Sequence, residues 1–82
     1  MRKSLMTEEY EQFGDMLRAL RIRANVTQVE LAERVEETQS FVSKCERGHQ
    51  RLDILELRQW CRALRVNLAD FVRSVDRCLP RQ

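Results

Sequence analysis

Thr-Gln-Val-Glu-Leu-Ala-Glu-Arg-Val-Glu-Glu-Thr-Gln-Ser-Phe-Val-Ser-Lys-Cys-Glu-Arg-Gly, residues 27–48, holds two short helical runs with almost nothing between them. Thr27 stands three residues ahead of Glu30, and Leu31, Ala32 and Val35 follow at i, i+1 and i+4. This predicts a helix opened by a capping box. Thr38 repeats the start signal. Behind it, Val42 and Cys45 are three apart and share one face, which leaves Gln39, Ser40, Ser43 and Lys44 on others. Gly48 ends the second helix, because glycine enters the left-handed region at little steric cost. Only Glu36, Glu37 and the cap lie between the runs, so the chain bends sharply and the helices cross at a large angle. The outward side of the second helix carries small and amide side chains plus one lysine. Amides and lysine have donors and acceptors that match base edges in the major groove.

The rest of the chain limits what can surround this pair. At 82 residues it forms one domain, and roughly 60 to 65% of the unfolded chain's surface can be buried, enough for one modest core. Apolar residues make up 43%, glycines number two and proline one, and no window alternates apolar with polar residues. Strands therefore find no support, and the expected class is all-α. Apolar runs are short and the Met-Arg-Lys start precedes no apolar region, so neither a membrane span nor a secretory signal is expected, and the location expected is cytoplasmic. Cys45, Cys61 and Cys78 are odd in number and too widely spaced for a metal knuckle or a redox pair. The first two occupy core phases and act as small hydrophobes. His49 has no second ligand type near it, so no metal and no cofactor is expected. Net charge is only +2, far from the excess of a chain that binds nucleic acid by charge alone; positive charge facing DNA must be local. No nucleophile, carboxylate pair or phosphate loop is present, so an enzyme is not expected.

Outward from the central pair, residues 1–6 read as a frayed lead. Thr7 caps a first helix whose opening turn carries Glu8 and Glu9, with Tyr10, Phe13, Leu17, Leu20 and Ala24 in a stripe and Asn25 suited to end it. After Gly48 a loop runs from His49 to Leu52 with Arg51 at its crest. Asp53 caps a fourth helix with Leu57, Cys61 and Leu64 inward and Trp60 widening that line. Asn67 caps a fifth with Leu68, Phe71, Val72 and Val75, and Pro80 ends regular structure. The expected domain is 7–76, followed by a tail at 77–82.

In this order of elements the chain resembles the phage-repressor-like, XRE-type helix-turn-helix family, over about Phe13 to Phe71. The likeness is carried by Leu17-Arg18-Ala19-Leu20-Arg21, by Thr27-Gln28-x-Glu30-Leu31-Ala32, by Gln39-Ser40-Phe41-Val42-Ser43-Lys44-x-Glu46-Arg47-Gly48, and by Ala63-Leu64-x-Val66 with Leu68. Each fragment is weak by itself, and the four in order are specific. The resemblance implies a five-helix, lambda-repressor-like domain with the helix-turn-helix at helices 2 and 3, binding operator DNA, usually as a homodimer. Glu36 and Arg65 stand where the family commonly has glycine. A left-handed backbone there would cost on the order of 1 kcal/mol at each, and Glu36 and Glu37 would repel a nearby phosphate.

By that resemblance Gln39, Ser40 and Lys44 face base edges, where Gln39 suits adenine and Lys44 guanine; as residues alone they also fit a solvated helix face. Thr27, Gln28, Thr38 and Ser43 resemble positions that grip the DNA backbone, and the two threonines serve equally as plain caps. Arg51 resembles a phosphate contact and is otherwise an exposed arginine. Phe41 rests on the second helix, meets a thymine methyl or covers the neck of the turn, and packing is favoured. Glu46 is expected in a local ion pair. Leu68, Phe71, Val72 and Val75 exceed what a short terminal helix needs, which suggests a dimer interface; alternatively Leu68 and Phe71 complete the monomer core. The functional expectation is a sequence-specific regulator of transcription, a repressor on a near-palindromic operator in double-stranded DNA. The alternative is an antitoxin or adaptor of the same fold that works through a protein partner.

Overall fold

The computed structural model describes residues 8–79. The expected cap at Thr7, the lead at 1–6 and the stop at Pro80 lie outside them. Among the described residues there are five helices and no strand: α1 (Glu8–Arg23), α2 (Gln28–Val35), α3 (Gln39–Glu46), α4 (Ile54–Ala63) and α5 (Leu68–Cys78). The start signals work as local chemistry requires. Thr27 accepts from the Glu30 amide while the Glu30 carboxylate accepts from the Thr27 amide, a complete capping box. Asp53 and Glu56 form a second box. Thr38 and Asn67 accept from the amides of Phe41 and Asp70.

The connections between helices are tight because backbone in the left-handed region closes them. Asn25, Glu36 and Arg65 have φ of 63°, 60° and 60°. The Glu36 amide caps the end of α2 through the carbonyls of Ala32 and Glu33. The two positions where glycine would be cheaper therefore keep the turn and carry a strain of about 1 kcal/mol each.

Leu17, Leu31, Val42, Cys45, Trp60 and Cys61 are almost wholly buried and form one core. Leu20, Val26, Ala32, Leu57, Leu64 and Phe71 complete it. Burial of aromatic and branched side chains at this density is the main favourable term of such a fold. The α5 helix divides its apolar residues: Phe71 lies in the core, with its ring 6.2 Å from that of Phe13 on α1. Leu68 and Val75 are half-buried against the core, and Val72 is 42% exposed.

Two glycines allow α1 to seat the α3 end of the molecule. A Cβ at Gly14 would overlap the carbonyl oxygens of Cys45 and Glu46, so the α1 backbone lies directly against the last turn of α3. At Gly48, φ is +79° and a Cβ would fall 2.7 Å from the Tyr10 carbonyl oxygen. Only glycine meets both demands there. The α3 helix is thus wedged against α1 at its C-terminal end and leaves Gln39 and Ser40 of its first turn exposed.

Candidate nucleic-acid interface

The exposed surface of α3 follows from what its other side must bury. Val42, Cys45 and Glu46 point inward and Phe41 is half-buried against the core, the packing role favoured for it. Gln39, Ser40 and Lys44 are exposed and Ser43 is half-buried. The α2 start comes to the same side, because the Gln39 Nε2 donates to the Gln28 Oε1 at 3.3 Å. Thr27 and Thr38, the caps of the two helices, are exposed beside them. Two helix N-termini, each with orphan amides and a partial positive charge, accordingly flank the exposed turns of α3.

Beneath this surface lies a buried ion pair. Arg21 Nε donates to Glu46 Oε2 at 2.6 Å and Nη2 donates to Glu46 Oε1 at 3.0 Å, a bidentate fork with both residues under a tenth exposed. Arg21 Nη1 also donates to the Val26 carbonyl at 2.9 Å, and Gln28 Nε2 donates to Glu46 Oε1 at 3.0 Å. Glu46 is in an ion pair as expected, but its partner is 25 residues away rather than local. The carboxylate ties the end of α3 to α1 and to the start of α2. Among the described residues no buried side-chain nitrogen or oxygen is left unsatisfied, which is what makes a buried charge tolerable.

Arg51 is exposed in the loop before α4, with its guanidinium carbon 5.4 Å from the Tyr10 ring centroid. That contact sets the charge over a ring of α1. His49 is exposed, and among the described residues no group of His, Cys, Asp and Glu is arranged to hold a metal. No described helix is long and apolar enough to cross a membrane.

The arrangement brings Gln28, Gln39, Ser40, Ser43 and Lys44 to one face, with Thr27 and Thr38 at helix starts and Arg51 on a separate loop. Sequence reasoning missed Arg21, which it treated only as part of a likeness. The available signal was its place four residues after Leu17 and beside Leu20 in an otherwise apolar stripe. It also missed that Gln28 reaches the buried carboxylate, which no spacing rule announces.

A family model described as helix-turn-helix matches residues 17–71. Among solved structures, the clp gene regulator ClgR from C. glutamicum superposes with a TM-score of 0.79 at 30% identity, over 90% of this chain and 96% of that one. An XRE-family like protein from Pseudomonas syringae pv. tomato str. DC3000 gives 0.76 at 35% identity, over 88% of each chain. The restriction-modification controller protein C.AhdI from Aeromonas hydrophila gives 0.70 at 26% identity, over 76% of this chain and 94% of that one. No curated protein sequence matches the chain.

Proposed function

We propose that this chain, which belongs to the XRE-type helix-turn-helix family of DNA-binding regulators, is a repressor that binds a near-palindromic operator as a homodimer. The observation that carries the reading is the exposure of Gln39, Ser40 and Lys44 on α3, over a helix whose opposite side is locked into the core. In this reading α3 enters the major groove, Gln39 and Lys44 meet purine edges, and Ser40 adapts to either strand. Thr27, Gln28, Thr38 and Ser43 hold phosphates together with the amides at the starts of α2 and α3. Arg51 meets a phosphate further along the strand. The protein works in the cytoplasm, where such DNA lies.

The dimer forms through α5. Leu68, Val72 and Val75 follow at i, i+4 and i+7 on one stripe, with Phe71 supporting it from the core. A two-fold axis there sets two copies of α3 about 34 Å apart, one turn of duplex, and makes the operator mirror the protein's symmetry.

Selection of bound duplexes from a random pool, followed by affinity measurement on the selected site, tests this. Gln39→Ala or Lys44→Ala is expected to erase preference at one base pair per half-site, a loss of about 1 to 3 kcal/mol of discrimination. Arg51→Ala is expected to weaken binding to every duplex and to lower the salt slope by about one. Recovery of no common sequence, or equal weakening by all three variants, refutes the assignment of base readers.

A further inference from the structure

We infer that α1 joins the DNA contact through one stripe of its surface, where Arg18 holds a phosphate of the strand gripped by Gln28 and Ser43 while Asp15 repels it, so that this pair tunes how tightly the backbone is held. This rests on the reading of Gln28 and Ser43 as backbone contacts. Gly14 and Gly48 set the placement. At Gly14 the α1 backbone lies on the carbonyls of Cys45 and Glu46, and Gly48 lies on the carbonyl of Tyr10, so the start of α1 runs beside the end of α3. Glu11, Asp15 and Arg18 are exposed and follow at i, i+4 and i+7, one stripe of a helix. That stripe is one wall of an open groove of about 450 Å³, shared with Ser43 and Arg47 of α3 and with Gln28 at the start of α2.

Arg18 stands at the Gln28 end of the groove, because it lies one turn before Arg21, whose Nη2 donates to the same Glu46 Oε1 as the Gln28 Nε2. Arg47 stands at the other end, next to Gly48 and Tyr10, where its charge and that of Glu11 offset each other. The Glu46 carboxylate in the wall between them is met by Arg21. Arg18 and Asp15 remain. Their i, i+3 spacing on one helix suits an ion pair, yet among the described residues neither is in one. The Arg18 guanidinium therefore keeps its donors for an acceptor from outside, and its planar fork suits two oxygens of a phosphate. Asp15, one turn away, sets a charge of the phosphate's own sign beside the same site.

Opposite signs one turn apart give the test. Affinities for the selected duplex and for an unrelated duplex of equal length are measured over a salt series for wild type, Arg18→Ala, Arg18→Lys, Asp15→Asn and Arg23→Ala. All three positions are exposed, where substitutions move stability little, and a melting curve of each variant checks this. Arg18→Ala is expected to weaken binding to both duplexes about tenfold at low salt and to lower the slope of log affinity against log salt by about one. Arg18→Lys, which keeps the charge, is expected to restore the slope. Asp15→Asn is expected to tighten binding to both duplexes about threefold at low salt, with the gain fading as salt rises. Arg23→Ala, on the same helix but beside α5, is expected to leave the slope unchanged.

An Arg18→Ala slope equal to that of wild type overturns the phosphate contact, as does an equal loss in Arg23→Ala, which would mark an effect of net charge alone. Asp15→Asn binding no tighter than wild type overturns the repulsion. Gln28→Met and Ser43→Ala are measured beside them: if these weaken both duplexes while Arg18→Ala does not, the role of α1 fails and the backbone reading stands. If neither weakens either duplex, the backbone reading itself is overturned.

Discussion

Cys45 and Cys61 lie in the core whereas Cys78 is exposed at the end of α5, and their chemistry should divide the same way. Burial pushes the Cys45 thiol up to about 12, with the carboxylates of Glu56, Glu37 and Glu46 adding to the effect, and burial also raises Cys61. The thiolate is the reactive form, so at pH 8 a thiol reagent is expected to modify Cys78 alone, and the other two only after denaturant is added; mass spectrometry counts the adducts. The same shift sets a sign for stability. Between 9.0, the ordinary value, and about 12 the folded state holds a proton on Cys45 that the unfolded chain has lost. Stability is therefore full below about pH 9 and falls as pH rises through that window; Cys45→Ala should flatten the alkaline limb of a melting-temperature profile. At this scale the sequence was legible where a residue's role is local: the caps at Thr27, Thr38, Asp53 and Asn67, the core phase of Cys45 and Cys61. Arg21 and the reach of Gln28 were not, because their partners are set by how α1, α2 and α3 cross.

The helices themselves were legible because each carries its own start signal and a stripe at the helical period. Their ends were legible by residue type at Asn25 and Gly48, but at Glu36 and Arg65 only through the resemblance, since neither residue type signals a left-handed backbone. Glu36 and Arg65 adopt that conformation, and the turn survives because the Glu36 amide still closes on α2. Glu36→Gly is expected to raise stability by up to about 1 kcal/mol, read as a higher denaturation midpoint without change of slope. It also removes a negative charge from the bend before α3, so DNA binding at low salt should rise at the same time. A midpoint that falls would mean that the glutamate is not strained.

For the whole molecule, the all-helical class followed from length and periodicity, while the face through which we propose that two copies join was only half legible. The apolar surplus on α5 was visible, and the sequence left its division open between an interface and completion of the monomer core; the packing against α1 shows that Phe71 is spent on the core. Val72 is the exposed member of the stripe. Val72→Glu is expected to turn a dimer into a monomer in sedimentation at micromolar concentration, with a melting temperature of the monomer fold little changed, since a surface substitution moves stability by only about 0.5 kcal/mol. A wild-type protein that is monomeric at high micromolar concentration, with and without duplex, refutes the dimer. The wedge of α1 against α3, with backbone on backbone at Gly14 and the Arg21–Glu46 fork beside it, has an effect on the other side of the encounter. On the proposed mode of binding, an α3 clamped in this way does not swivel to suit an ill-fitting groove, and the compliance is expected to come from the nucleic acid. Base steps that no side chain touches, above all supple pyrimidine–purine steps midway between the proposed half-sites, are then expected to help decide which sites are held, through how readily they deform.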